Sequence, residues 1–510
     1  MKKSVGLALF LIFLLGFILR TLYLSEGALI FGYDQARDAF TTQQILEGDF
    51  KILGPPASTP GLYHGVFYYY FLAPAYLLGQ GNPIWVAYWV AFFNASAIFI
   101  VFYLTYLLSK KYLPSFLASI LFAVSFEATQ YATWLSNPTL GIWTVPMIYL
   151  GLWMWIKQRK KWGAIICAVG VGLSIQSEIF LAYHILPVVF WLWVARKKIS
   201  GKVFLSFIFF LFLSLSSMLL VEVKFGFQSI SGIANLLSSG DTLLAGRSVG
   251  DFIVLYLNQL GRTFSNNLLP SNAGYGGALG LFFLIWIIYD WYKKKSKKNI
   301  ISWQPFVATF ILAHLPIVSM GGISTPFLTV GLGAGAIILV ALSINKIWSV
   351  NKVFVLVLFS LLLISNLITV FANNKKGQVI FAIQKDMLLS NELKALDYIY
   401  KEAGGKPFSI NTLTSPLWIN TTWSYLFNWY GKSNYGYLPS WRGRDQVGQL
   451  GNNLEVAQSN VTLHFYIIEP PQGLPKFYLE SEPSFEDSRS KILSEMKFGE
   501  LQVQKREITK

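Results

Sequence analysis

Long apolar runs, each about as long as a bilayer is thick, constrain most strongly what this chain can fold into. A membrane-spanning helix needs roughly 20 mostly apolar residues, and the 510-residue sequence contains eleven such runs. They are residues 4–24, 84–108, 113–130, 139–156, 162–176, 178–195, 201–221, 276–292, 303–320, 326–345 and 352–372. The sequence therefore predicts a mainly α, polytopic membrane protein with about eleven transmembrane helices.

The composition excludes several other classes of protein. Charged residues make up 13% of the chain, about half of the ~25% usual in soluble domains, so a soluble enzyme is excluded. Disorder needs high charge and low hydrophobicity and is excluded for most of the length. The single cysteine, Cys167, lies in an apolar stretch and cannot form an intramolecular disulfide or a Cys-based zinc site. The four histidines are too scattered along the sequence to suggest a cluster.

The net charge of +16 is a topology signal rather than a sign of nucleic-acid binding. If the N-terminus is cytoplasmic, the short cytoplasmic segments hold 19 basic residues and one acid, Asp290, whereas the rest holds 22 basic and 24 acidic residues. Loops rich in Lys and Arg remain in the cytoplasm. We therefore predict a multi-pass protein of the plasma (inner) membrane with an extracytoplasmic C-terminus and no nucleic-acid partner.

The chain divides into a transmembrane domain, residues 1–375, and an extracytoplasmic domain, residues 376–510. The second part carries mixed charge, and its sequence predicts a helix at 390–404 and strands at 407–413 and 461–469. It is expected to be a small α/β domain. In the transmembrane part, the outer region 222–275 is polar, and its Gly/Ser-rich stretch 238–251 predicts a mobile loop.

The first outer loop, residues 25–83, holds the densest group of chemically useful side chains. Asp34, Arg37 and Asp38 share one face of a predicted helix that starts near Tyr33. The other side of this helix is expected to face the membrane; it consists of Ala36, Ala39, Phe40, Ile45 and Leu46. Segment 64–79 is apolar but short and contains a proline, which predicts an interfacial helix whose tyrosines at 68–70 lie among lipid headgroups.

This arrangement resembles that of the GT-C glycosyltransferases, in particular the protein O-mannosyltransferases and aminoarabinose transferases. The resemblance covers the order of spans, the outer loop and the outer C-terminal domain, and its specific motif lies in residues 31–80. It implies a polyprenyl-phosphate sugar donor and a site on the outer face. The chain departs from the family pattern twice: Gln35 replaces the second acid after Asp34, and Gly65 follows His64 where relatives carry proline.

Sugar transfer needs a base for the acceptor hydroxyl and positive charge for the leaving phosphate. The resemblance favours Asp34 as the base of an inverting single displacement, although a solvated carboxylate at a helix N-terminus is the simpler alternative. Asp38 is a second catalytic candidate that orients the acceptor, or a surface acid. Arg37 binds phosphate or pairs with these acids. Asp34 and Asp38 are also the candidate ligands of a divalent metal, whose need stays open.

Further polar residues at the outer edge of the spans are substrate-binding candidates, each with a plainer structural alternative. They are Tyr33, His64, Trp134, Asn137, Glu178, Arg247 and Arg262. Trp134 stacks on a sugar or marks the membrane interface. Asn137 is alternatively an N-cap before Pro138, and an acid such as Glu178 near the bilayer indicates function by default. The aromatic stretch 423–446, with Arg442 and Arg444, suits either carbohydrate binding or docking on the membrane.

The sequence thus predicts a glycosyltransferase that moves a sugar from a polyprenyl phosphate to a hydroxyl of a lipid, glycan or protein acceptor. The alternative is a transporter or flippase of lipid-linked sugars, which needs ionisable residues near the bilayer midplane. A scaffold without chemistry is a third possibility. The acids cluster at one edge of the spans, which favours the enzyme.

Overall fold

The computed structural model describes residues 3–57, 61–232, 248–293, 300–315, 326–444 and 453–509. Helices make up nearly all of the regular structure before residue 376, and a five-stranded sheet lies in the C-terminal part. The predicted fold class, mainly α with a small C-terminal α/β region, is confirmed.

Helices lie at all eleven predicted spans, although the ninth is described only as far as residue 315. The α-helices of this part are Lys3–Thr21, Tyr33–Leu46, Phe67–Leu78, Pro83–Ser109, Tyr112–Val124, Phe126–Ala132, Gly141–Ile156, Lys161–Ser177, Ile185–Ala195, Gly201–Ser214, Ser216–Lys224, Val249–Leu268, Ala273–Lys293, Trp303–Ile311, Leu332–Trp348 and Lys352–Asn373. Within the described ranges, six segments are long and apolar enough to cross a membrane, or up to eight if each of two bent helix pairs is one span.

The outer region 222–275 is not simply a polar loop, and that prediction was wrong for its second half. Residues Val249–Leu268 form a helix, started by Ser248 and Asp251, whose side chains each accept a hydrogen bond from the other residue's backbone N–H. Leu260, Phe264 and Leu268 recur at helical spacing and are buried. The high glycine and serine content before residue 251 obscured this apolar periodicity. Residues 233–247, including Arg247, lie outside the described residues.

A break at Ser125 splits the third span into two helices that bend by 53°. The buried side chain of Arg20 donates hydrogen bonds to backbone carbonyl oxygens at this break, those of Ala123 (2.9 Å) and Phe122 (3.2 Å). Its Nε also donates to Asn94 Oδ1 at 2.6 Å. An interrupted helix is tolerated at membrane depth only where other groups satisfy its backbone, and Arg20 supplies those donors.

Replacing Arg20 by Met should therefore destabilise the protein, because the buried Ala123 carbonyl loses its side-chain donor, and a buried carbonyl left without a donor costs about 1–3 kcal/mol. Thermal unfolding in lipid nanodiscs measures this as a lowered Tm. Arg196→Met is the matched control, because Arg196 is exposed and donates to the carbonyl of nearby Trp193 at the end of another span. Equal changes of Tm in the two variants would contradict the role given to Arg20.

The C-terminal region forms a mixed five-stranded sheet. The strands are β1 Ser409–Leu413, β2 Ser440–Trp441, β3 Leu463–Ile468, β4 Ser490–Phe498 and β5 Leu501–Ile508. Their order in the sheet is β2-β1-β3-β5-β4; β1 is parallel to β2 and β3, whereas β5 is antiparallel to β3 and β4. The helical segments are Leu389–Ala403, Thr421–Leu426, Phe427–Gly431 (a π-helix), Lys432–Tyr435 and Lys476–Asp487. The predicted helix and both predicted strands are confirmed.

The C-terminal region and the first outer loop share one hydrophobic core. A backbone bridge pairs Ile30 with Leu388. The Tyr425 ring lies against Phe31 and Phe40, and its hydroxyl donates to the Gly81 carbonyl at 2.6 Å. The apolar side of helix Tyr33–Leu46 belongs to this core, with its two alanines and Ile45 buried. The expectation that this side faces the membrane was wrong, because the C-terminal domain covers it.

Two buried carboxyl groups, Glu392 and Glu469, lie inside this core region. Glu469 accepts hydrogen bonds from the Ser415 N–H, the Gln384 amide and the Trp423 indole at 2.9–3.0 Å. Neither carboxyl oxygen of Glu392 has a partner among the described residues. Burial, with a smaller effect from Glu469, raises the pKa of Glu392 well above its usual range, and burial raises that of Glu469 to about 7. Glu392 is therefore held as a neutral acid.

Because the folded-state pKa of Glu392 is raised, its contribution to stability is fully present below its unfolded pKa of about 4.3 and is lost as pH rises above that value. Glu392→Gln replaces the acid by a permanently neutral group. We expect a higher Tm than that of the wild type at pH 8 and a difference that shrinks toward pH 4. Glu402→Gln, on the same helix but paired with Lys505, is the control. A pH-independent effect of Glu392→Gln would refute the assignment.

Candidate active site

The helix Tyr33–Leu46, here called the site helix, carries the two candidate acids. The Gly32 N–H donates to Gln35 Oε1 at 3.0 Å, which fixes the helix start and places Asp34 in the first turn. The Arg37 guanidinium lies between the acids, 2.7 Å from Asp34 Oδ1 through one nitrogen and 2.7 Å from Asp38 Oδ1 through the other. The predicted shared face is therefore present, and its three charged groups form one bridged unit.

Burial separates the roles that the two acids can take. The Asp34 side chain is 55% exposed, whereas those of Arg37 and Asp38 are 5% and 1% exposed. Burial raises the pKa of Asp38 to about 7, against the opposing effect of Arg37. Its second oxygen, Oδ2, is buried without a hydrogen-bond partner in the described part of the chain. Of these two acids, only Asp34 is accessible from solvent. Asp38 is buried and holds the Arg37 guanidinium in place through their ion pair.

Aromatic side chains surround this charged unit. The Arg37 guanidinium lies over the Tyr33 ring, 5.6 Å from its centroid, and interacts with Tyr69. Tyr68 and Tyr69 are buried, and only Tyr70 of this run is exposed. The expectation that all three tyrosines lie among headgroups was wrong for the first two, because they turn toward the site helix. A run of three tyrosines in the sequence does not indicate which of them are buried and which is exposed.

His64 and Glu178 form a second part of the site. His64 Nδ1 accepts a hydrogen bond from the Ile179 N–H at 3.3 Å and lies 3.8 Å from Glu178 Oε1. Burial, together with the charge of Arg37, lowers the pKa of His64 to about 4. The imidazole is therefore neutral at physiological pH and carries its proton on Nε2. The effect of Arg37 on His64 links this part of the site to the site helix.

Gln176, on the helix that precedes Glu178, holds the segment around His64 in place. Its carbonyl oxygen accepts from the Gly65 N–H at 2.8 Å, and its side-chain oxygen accepts from the Phe67 N–H at 3.3 Å. A Cβ at Gly65 would lie 2.1 Å from the Gln176 side chain. Glycine at the position where relatives carry proline thus permits this close approach.

The remaining candidates lie nearby in different settings. Glu127 is buried, accepts a hydrogen bond from Asn267 Nδ2 at 2.8 Å and interacts with the charge of Arg262. Tyr131 interacts electrostatically with Glu127, Arg262 and Glu178, so these groups border one region. Trp134 stacks on Phe381 at 4.4 Å, which covers one ring face.

Asn137 does not have the N-cap role that the sequence offered as its structural alternative. Ser136 occupies the N-cap position of the helical turn Asn137–Leu140, so Asn137 is not the cap. The Asn137 amide is buried and donates to the Ser177 carbonyl. It thereby ties the start of the fourth span to the segment that carries Glu178.

The acidic pair does not fit a shared metal site. A cation bound by both Asp34 and Asp38 would have to replace Arg37, which already bridges them at 2.7 Å on each side. Within the described ranges, no three His, Cys, Asp or Glu side chains lie close enough to hold a metal ion. The arrangement instead provides an exposed carboxylate, a buried ion pair, a neutral imidazole and a half-buried arginine, Arg262. These groups suit proton transfer beside an anionic leaving group.

The chain shares its overall fold with a protein of known structure. No protein-family model matches the sequence, and no curated protein matches it significantly. Among solved structures, 21 chains match. One is ArnT from Cupriavidus metallidurans, solved with undecaprenyl phosphate, at 9% identity and a TM-score of 0.58, covering 99% of this chain and 98% of that one. Another is the oligosaccharyltransferase AglB from Archaeoglobus fulgidus, at 13% identity and a TM-score of 0.48, covering 91% and 69%.

Proposed function

We propose that this protein is a glycosyltransferase that moves a sugar from a polyprenyl-phosphate donor to an acceptor hydroxyl at the outer face of the plasma (inner) membrane. The observation that carries the proposal is the exposed Asp34 carboxylate, held on a buried Arg37–Asp38 pair beside the outer ends of several spans. The shared fold with ArnT, solved with undecaprenyl phosphate, supports the class of donor.

In the proposed reaction, Asp34 accepts the proton of the acceptor hydroxyl as its oxygen attacks the anomeric carbon. The bond between that carbon and the phosphate oxygen breaks, and its electron pair stays on the lipid phosphate. A single displacement with one base inverts the anomeric configuration. Asp38 acts as a positioning residue, because it is buried behind Arg37 and holds the guanidinium that orients Asp34.

The leaving phosphate needs hydrogen-bond donors and positive charge. We assign this role to the Nε2–H of His64 and to Arg262 and Arg247. A neutral His64 donates a proton in a hydrogen bond without adding to the charge around Arg37. Tyr33, Trp134 and Glu178 are proposed to contact the sugar, and Asn137 to position the segment that carries Glu178.

The proposal is tested with purified protein in lipid nanodiscs, supplied with a panel of radiolabelled polyprenyl-phosphate sugars. Release of lipid phosphate, measured with and without EDTA, identifies the donor and shows whether a metal contributes. Release from at least one donor, with inverted stereochemistry in the product, supports the enzyme. No release from any donor, together with uptake of labelled lipid-linked sugar by sealed vesicles, would establish the transporter instead.

A further inference from the structure

Three parallel strands of the C-terminal sheet end at one edge. β1, β2 and β3 run in the same direction, so residues 414–420, 442–444 and 469–475 leave the sheet together. In open α/β sheets, ligands bind in the crevice outside the carboxyl ends of the strands. This edge therefore has the position in the sheet at which a ligand is expected to bind.

Aromatic rings and an ion pair cluster at this edge. The Arg444 guanidinium lies 5.9 Å from the centroid of Trp418 and 5.0 Å from that of Phe485. Arg444 pairs with Glu482 at 3.1 Å, and Tyr478 meets Trp418 edge to face at 5.3 Å. We call these five residues, Trp418, Arg444, Tyr478, Glu482 and Phe485, the aromatic platform. The sequence had suggested carbohydrate binding or membrane docking for the stretch that contains Arg444.

Trp418 carries two features that stability alone does not explain. Its φ of 59° lies in the left-handed region, which bulky side chains rarely adopt. Its indole N–H is buried and has no hydrogen-bond partner within the described ranges. Strained residues of this kind concentrate at ligand clamps. The fold thus keeps this ring in place at a local energetic cost.

The chemistry of the platform favours a saccharide over other occupants. A sugar ring offers an apolar face that packs on aromatic rings, and its hydroxyls match the donors and acceptors of the Arg444–Glu482 pair. A membrane surface would favour clustered basic residues, whereas this arginine is paired with an acid. An extended peptide would favour an open sheet edge such as β4, whose residues are largely exposed.

Residues 381–384 lie between the platform edge and the candidate active site. The Gln384 amide donates to Glu469 Oε2 and to the Pro470 carbonyl, just after β3. Three residues earlier, Phe381 stacks on Trp134 of the candidate active site. Residues 381–384 therefore contact both the platform edge and Trp134.

We propose that the aromatic platform binds the glycan part of the acceptor, so that the acceptor of this enzyme is a saccharide or a saccharide-bearing molecule. The identification of the bound glycan as the acceptor rests on the proposed function. Binding of a glycan to the platform is measured without any donor, so the two proposals fail separately.

The test uses the full chain in nanodiscs and titrates three neutral hexasaccharides, maltohexaose, mannohexaose and chitohexaose, by calorimetry. Trp418→Gly removes the ring and relieves the left-handed backbone, so the variant should unfold at or above the wild-type Tm. Phe227→Gly is the matched control, because Phe227 is an aromatic residue with a similar left-handed φ of 60° that lies outside the platform. Arg444→Lys keeps the positive charge but removes the planar guanidinium that lies over the Trp418 and Phe485 rings.

We expect at least one hexasaccharide to bind, and the Trp418→Gly and Arg444→Lys variants to bind it about tenfold more weakly. Phe227→Gly and the transfer-deficient Asp34→Asn should bind it like the wild type. The proposal is overturned if none of the three binds, or if Trp418→Gly binds as the wild type does. It is also overturned if the substitution abolishes association with an unstructured peptide or with anionic vesicles instead.

Discussion

Replacing Asp34 by Asn should lower the rate of sugar transfer about 10²–10⁴-fold, the range for loss of a positioned general base. The amide has the same shape as the carboxylate but cannot accept the acceptor's proton. Because the Asp34 side chain is 55% exposed and Arg37 keeps Asp38 as a partner, folding should be nearly unaffected. The measurement is release of lipid phosphate by wild type and variant at equal folded concentration.

Asp49→Asn is the control for this prediction. Asp49 is an exposed acid of the same outer loop that pairs with Lys51 and lies just beyond the end of the site helix. Its replacement should leave the rate within about twofold of the wild type, as for surface changes away from a site. If Asp34→Asn retained full activity, or if both variants lost it equally, Asp34 would not be the base.

Replacing Arg37 by Met should lower the free energy of unfolding by about 3–5 kcal/mol, because removing one partner of a buried ion pair leaves the other charge uncompensated. The partner is Asp38, which is 1% exposed and has no other cation at contact distance in the described part of the chain. Sugar transfer should also fall, since Arg37 orients Asp34. Thermal unfolding and the release assay measure the two effects.

A second substitution separates this explanation from a general packing defect. In Arg37→Met with Asp38→Asn, no buried charge remains, so most of the lost stability should return. The single variant should also lose less stability at pH 5 than at pH 8, because burial already raises the pKa of Asp38 to about 7 and protonation removes its charge. A double variant as unstable as the single one would contradict the ion-pair account.

The fold was predictable because a bilayer leaves few options for long apolar runs, and every one of those runs contains helix. The shared face of Asp34, Arg37 and Asp38 followed from helical spacing alone. The same spacing did not reveal which acid is buried. That depends on the C-terminal domain and on Tyr68 and Tyr69, which are distant contacts that periodicity does not encode.

Other features escaped the sequence for related reasons. The membrane-facing assignment of the site helix failed because an apolar side packs equally well on lipid and on protein, and Tyr425 lies hundreds of residues away. The helix Val249–Leu268 was hidden by the glycines and serines before it. The convergence of Trp418 and Arg444 at one edge depends on the parallel pairing of β1 with its neighbours, which two isolated strand predictions do not specify.

The backbone bridge between Ile30 and Leu388 has a consequence for biosynthesis. The ribosome makes the site helix near the beginning of the chain, yet the core that buries its apolar side includes Tyr425, from the last fifth. Until that segment has been synthesised, Phe31 and Phe40 lack this aromatic partner. A nascent chain, or one truncated before Tyr425, therefore has an incomplete core around the site helix, so the candidate site is completed only late in synthesis.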